Sequence, residues 1–194
     1  MMSKTQPIRE TRQLTELKEY YLTEHPNLRN YTLITLGLNT ALRIGDILKI
    51  KWGMVYDFER NQYRSHLLLT EQKTRKETMI ALNHTAVAAL DAFRQSRQPA
   101  SENLYLFSGQ KNKSAPISRQ QAYRIIKEAA DHAHLTEHIS CHSLRKTFGY
   151  HAWKNGTPPA LLMAIFNHSS YQITKRYLCI DQEDKDHVFC QLNL

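Results

Sequence analysis

The chain predicts a mainly helical α+β domain carrying a small three-stranded antiparallel sheet. Three observations lead there. Apolar residues recur at helical spacing over most of the 194 residues. Between residues 54 and 81 that period gives way to short runs rich in Val, Ile, Leu, Tyr and Thr, broken by polar turns. Beyond residue 82, helix-start signals return at Asn83, at Ser118 with Gln121, and at Ser140. The length suits one domain of ordinary size, or one domain plus a short arm.

Residues 1–13 are polar and predict a loose arm. Leu14, Leu17, Tyr21 and Leu22 then predict a helix with Thr15 as N-cap, running to Glu24 and stopped near Pro26. A second helix spans Asn27 to Thr40, and ALRIGDILKI (41–50) forms a short third, closed by Lys51, Trp52 and Gly53. The strands fall at 54–58, 64–70 and 76–81, with turns at 57–61 and 72–75. Asn83 caps a helix to Gln98, 104–107 is extended, and Ser108–Gly109 turns the chain. Ser118 opens a helix to His134, and Ser140 opens one to Lys154 with Gly156 just past its end. Thr157 and Pro158 fit the N-cap and first turn of the next, which ends near Asn167. A short helix from Ser170 carries Tyr177. The tail from Asp181 holds Asp181, Glu183, Asp184 and Asp186 against one lysine, and predicts a last amphipathic helix through Val188, Phe189 and Leu192.

Composition narrows the function. Lys and Arg number 26 against 18 Asp and Glu, a net charge of +8 that points to a polyanion, nucleic acid first and an acidic membrane surface second. No apolar run approaches the ~20 residues needed to cross a bilayer, and the start MMSKTQPIRETRQ has no signal-peptide core. A cytoplasmic protein is expected. Cys141, Cys179 and Cys190 form no CxxC pair and predict reduced thiols rather than a disulfide frame or zinc site.

The basic charge concentrates where the chemistry does. Between Glu137 and Asp181 there is no Asp or Glu, yet Arg145, Lys146, Lys154, Lys175 and Arg176 lie there. His142 and Arg145 share a helical face, where a guanidinium fork and an imidazole make a phosphate clamp. His168 and, nine residues later, Tyr177 follow. Upstream, Arg43 sits among apolar neighbours and needs a partner, which Asp46 could supply at (i, i+3). Lys73 sits in the QKTRK turn, with Lys76 as its alternative. His132, His134, His138 and His142 lack a metal-binding pattern and read as solvated. Trp52, Tyr105 and Phe107 read as core.

ALRIGDIL, the lysine of QKTRK, HSLR, NHSS and the tyrosine nine residues beyond that histidine come in one order. Together they resemble the tyrosine recombinase (phage integrase) family over 14–194, its catalytic domain. The resemblance implies Arg43, Lys73, His142, Arg145, His168 and Tyr177 as catalytic residues, Tyr177 as nucleophile, and Asp46 in support. It implies metal-free DNA strand transfer with no cofactor, double-stranded DNA as partner, and a homotetramer on DNA that is a monomer or weak oligomer when free. It departs from the family at Asn167, where Gly is usual and Asn is the next residue suited to a left-handed helix cap. It departs again at Lys146, where His is frequent. The separate core-binding domain of many members is expected to be absent, leaving a role for accessory DNA-binding proteins. A type IB topoisomerase-like enzyme and a catalytically silent DNA-binding regulator are the alternative readings.

Overall fold

The computed structural model describes residues 5–99, 101–109, 114–180 and 182–192. Its core is built on α2 (Leu28–Asn39), which Asn27 caps by accepting from the Asn30 amide at 3.2 Å. Leu33, Ile34 and Leu36 of α2 are fully buried. They pack with Leu90 and Phe93 of α5 (His84–Arg97) and with Ala122, Ile126 and Ala129 of α6 (Arg119–His132). The expected caps form: Asn83 accepts from Ala86, and Ser118 and Gln121 make a reciprocal capping box.

Three departures from expectation have local causes. The first helix, α1, is Thr11–Glu19, not one capped by Thr15, because the Thr15 hydroxyl bonds back to the Thr11 carbonyl. It runs on as a π-type turn over Tyr20–Glu24. The three-stranded sheet is instead two ribbons, β1 (Tyr56–Asp57) with β2 (Gln62–Tyr63), and β3 (His66–Thr70) with β4 (Glu77–Ala81). The amide of Arg64 bonds to Val55 just before the first ribbon, while the carbonyl of Ser65 accepts from Leu82 beside the second, so residues 64–65 pivot the chain between them. The expected arm is packed from Thr5 onward. Ile8 is 1% exposed, its amide donates to Thr147 Oγ1, and Lys146 Nζ donates to the Thr5 carbonyl. One apolar residue in a polar run has no period to announce it. Residues 1–4 of that arm, and Asp181 of the tail, lie outside the described residues.

Between α2 and the first ribbon run two single-turn helices, α3 (Ile44–Ile47) and α4 (Trp52–Val55), the latter where a closing turn was expected. α7 (Cys141–Lys154) is capped by Ser140 as predicted. α8 (Pro159–Ile165) starts one residue late, because Pro159 holds Pro158 extended at ψ 136°. α9 (Tyr171–Leu178) and α10 (Gln182–Gln191) complete the chain. α7, α8 and α9 share a small second core of Leu162, Phe166 and Leu178 with Ala41, against which Tyr177 packs. Val188 and Phe189 of α10 and Leu192 just past its end are 54–76% exposed, and Asp184 anchors the helix on Lys154 at 2.6 Å. No described helix is long and apolar enough to cross a membrane.

Candidate active site

The second core brings His142, Arg145, His168 and Tyr177 together. The Tyr177 hydroxyl is hydrogen-bonded to His142 Nε2, and its ring stands edge-on to His168 at 4.5 Å between centroids. Arg145 lies over the rings of Phe166 (4.8 Å) and Tyr177 (5.9 Å) and is 1% exposed. Its fork is not free as the sequence suggested. Nη1 donates to the Ala41 carbonyl and Nη2 to the Phe166 carbonyl at 2.6 Å. Ala41 is itself left-handed (φ 55°), and Phe166 precedes Asn167, which is also left-handed (φ 51°). Arg145 thus pins two turns of the site.

The Asn167 turn is a Schellman motif. The amide of His168 donates to Met163 and that of Asn167 to Ala164. This places His168 at the end of α8, with Nδ1 bonded to Thr174 Oγ1 at 3.0 Å and its ring stacked on Phe166 at 5.1 Å. Among the described residues, three buried side-chain atoms have no partner: Thr35 Oγ1, Arg145 Nε and His168 Nε2. Two of the three belong to this site. Buried polar atoms are ordinarily satisfied, so such a pair marks a place for a ligand's acceptors.

Arg43 and Lys73 arrive from distant sequence, as expected. Both line one cavity of about 580 Å³ with Gly45, Asp46, Arg119, Tyr123 and His142. The Arg119 guanidinium lies close over Gly45, where a Cβ would stand 2.6 Å from Nη2. The expected partner of Arg43 is corrected. Arg43 is the N-cap of α3 (ψ 146°), outside the helical turn in which (i, i+3) side chains meet. It pairs with Glu71 at 2.5 Å. Asp46 instead accepts from the Gln72 amide at 3.0 Å, holding the β3–β4 turn that carries Lys73. Lys76 does not line the cavity.

Electrostatics follow from this crowding of cations. Burial, then the charges of Arg145, Lys146, Arg43 and Lys73, lower the His142 pKa to about 4. Burial, then Arg145 and Arg43, lower that of His168 to about 4. Both rings are neutral near pH 7. With His142 neutral, the Nδ1–H tautomer makes Nε2 the acceptor of the Tyr177 proton. With Thr174 donating to His168 Nδ1, His168 Nε2 carries the unpaired N–H. Burial and the charge of Arg43 bring Arg145 down to about 10, still a cation. Burial pushes the Glu71 carboxyl up, but hydrogen bonds from Asn167 and Thr74 and the charge of Arg43 together hold it below the usual carboxylate range.

Sequence reasoning missed Glu71, Thr174 and Phe166. Glu71 looked like one more polar residue beside a turn, and nothing local marks its burial. Thr174 and Phe166 could only be found once the left-handed turn at Asn167 had aimed His168 at them. His132, one of the clustered histidines, packs against Tyr20 at 4.9 Å. Among the described residues, no three His, Cys, Asp or Glu side chains gather in a metal-holding group.

Comparison with known proteins agrees with the geometry. The model of the phage integrase family matches residues 9–184. A probable integrase/recombinase, YoeC of Bacillus subtilis (strain 168), is 41% identical over 92% of this chain and 91% of its own length. Tyrosine recombinase XerD of Mycobacterium leprae is 28% identical over 79% of this chain, which spans about half of that relative (48%). Among solved structures, XerA recombinase superposes with a TM-score of 0.76 at 20% identity, covering 97% of this chain and 66% of that one. XerH bound to its difH substrate gives 0.78 at 18%, covering 97% and 53%. The family model and the 41% identical relative place a fold of helices around two small ribbons, with a half-buried Arg–His–Tyr cluster, in the tyrosine recombinase class. The chain belongs to the phage integrase family.

Proposed function

We propose that the chain is a site-specific recombinase that cuts and rejoins double-stranded DNA through a 3′-phosphotyrosine at Tyr177. The observation that carries this reading is the Tyr177–His142 hydrogen bond beside two buried nitrogens without partners, Arg145 Nε and His168 Nε2. A scissile phosphate placed there meets a nucleophile, a base and charge stabilisation together.

Tyr177 has an ordinary phenol pKa near ~10 as a free side chain and needs a base or a cationic field. His142, neutral and already bonded to the hydroxyl, takes the proton as the phenolate oxygen attacks phosphorus in line. The P–O bond to Tyr177 forms as the bond to the 5′ oxygen breaks. Arg43, Arg145 and His168 stabilise the charge growing on the non-bridging oxygens. Lys73, on its hairpin turn, protonates the leaving 5′ oxygen. The products are a 3′-phosphotyrosyl link and a free 5′ hydroxyl, and the reverse attack by another 5′ hydroxyl rejoins the strands without an external energy source.

XerH bound to difH and lambda integrase bound to its core site are DNA complexes. The cavity of this chain, bordered by Arg43, Lys73 and Arg119, supports the same partner here. The working assembly is a homotetramer on two DNA sites. The exposed Val188 and Phe189 of α10, with Leu192 just beyond it, support a contact between subunits. Accessory DNA-binding proteins would assist assembly.

The test is capture on a library of nicked duplexes with randomised cores. Wild-type protein should form covalent adducts whose sequencing reports the site. Tyr177→Phe should form none while binding the recovered duplex within about threefold of wild type. An adduct in Tyr177→Phe, or none in wild type, would overturn the assignment.

A further inference from the structure

We infer that Glu71 and Asn167 form a positioning pair for strand cleavage, setting Arg43, the Lys73 turn and the His168 turn in register with one another. The inference rests on the recombinase reading above and adds a function for two residues outside its six.

Glu71 is 1% exposed, and both of its carboxylate oxygens are occupied. Oε2 accepts from Arg43 Nη1 at 2.5 Å and from Thr74 Oγ1 at 2.9 Å, while Oε1 accepts from Asn167 Nδ2 at 3.0 Å. The three donors come from three separate parts of the site: the N-cap of α3, the turn beside Lys73, and the cap that aims His168. The backbone of Glu71 also closes the Lys73 turn, its amide donating to Lys76 and its carbonyl accepting from Arg75. A second bond from Asn167 Nδ2 reaches Thr78 Oγ1 of β4 at 3.2 Å. Asn167 is therefore more than a residue that tolerates a left-handed turn. A glycine there would fit φ 51° equally well but would carry no amide to bind the ribbon.

Electrostatics separate positioning from binding. A carboxylate beside an arginine that must meet a phosphate offsets part of the attraction for DNA. Its placement opposes affinity and serves only to fix geometry. Neutralising it should move binding and cleavage in opposite directions, which simple loss of structure would not do.

The experiment uses the duplex recovered by covalent capture, measuring single-turnover adduct formation at saturating protein alongside the DNA Kd at fixed salt. Glu71→Gln should slow adduct formation about 10–100-fold, the scale of a misplaced catalytic group, while the Kd stays level or tightens up to about threefold. Asn167→Gly, which keeps the left-handed turn, should slow adduct formation about 3–10-fold with no change in Kd. The double variant should lose less than the product of the two single losses, because the two residues share the Glu71–Asn167 contact. Adduct formation at the wild-type rate in both single variants would overturn the inference and leave the recombinase reading standing. So would parallel losses of rate, affinity and melting temperature. A wild-type protein that forms no adduct would overturn both. If Glu71→Gln does not fold, Asn167→Gly decides alone, wild-type rate overturning the inference and a selective loss of rate supporting it.

Discussion

Two cations of the site sit in opposite settings. Arg145 is fully buried and donates to the carbonyls of Ala41 and Phe166, so it supports the turns of the site as well as supplying charge. Lys73 is exposed at the tip of a hairpin whose base is held by Asp46 and Glu71. A flexible, exposed lysine can deliver a proton without paying a desolvation penalty, and its loss should leave the fold alone. Lys73→Ala is expected to slow strand cleavage by about 10²–10⁴-fold, the range for a general acid, with an unchanged melting temperature. A 5′-bridging phosphorothioate, whose sulfur leaves without a proton, should restore most of the rate. A variant that stays slow on that substrate would assign the acid elsewhere.

At the scale of elements, the decisive packing is α7 against the end of α8. Gly149 of α7 lets Phe166 approach so closely that a Cβ there would lie 2.7 Å from Phe166 Cζ. Phe166 cannot retreat, since it is fully buried and lies beneath His168, Arg145 and Tyr177. Gly149→Ala should therefore destabilise the domain by about 1–3 kcal/mol, as overpacking does, and should also lower the rate of adduct formation at saturating DNA. Thermal melts and single-turnover cleavage check the two effects. A rate unchanged by the substitution would show that Phe166 is only core. The same junction explains why the cap at Asn167 matters: a Schellman turn fixes the direction in which the chain leaves α8, and so the placement of His168 and α9.

For the whole molecule, the burial of two site histidines, and then the positive charge around them, makes stability depend on pH. His142 and His168 have pKa values of about 4 in the folded protein, against ~6.5 for a free histidine. Between those values the unfolded chain binds more protons than the folded one, so stability falls as pH drops from about 6.5 towards 4 and is level above that window. Denaturant titrations at pH 7.5, 6 and 5 should show this loss. The double variant His142→Gln, His168→Gln should lose less over the same interval. An identical pH dependence in the two proteins would place the titrating groups elsewhere.

Much was legible in the chain because it is local. The caps at Asn83, Ser118 and Ser140, and the start of α9 near Ser170, follow from side chains that bond their own neighbouring amides or from apolar period. Order and spacing proposed the six candidate residues; the structure sets Tyr177 against His142, His168 and Arg145, and places Arg43 and Lys73 on a cavity that His142 also lines. What failed was also local in cause: a threonine that bonded backwards in place of capping, and a second proline that delayed α8. The partner of Arg43 was another matter. Asp46 was the near choice in sequence, but Arg43 stands outside the helical turn and meets a carboxylate 28 residues away. The sequence by itself determined most of the helices and the charge, since these depend on short-range bonding and residue type, and it proposed the reactive side chains. Only the tertiary structure decided that Ile8 is core, that Arg145 already serves two carbonyls, and that Glu71 joins three parts of the site. Burial and long-range pairing arise when distant segments exclude water together, and no single segment carries that information.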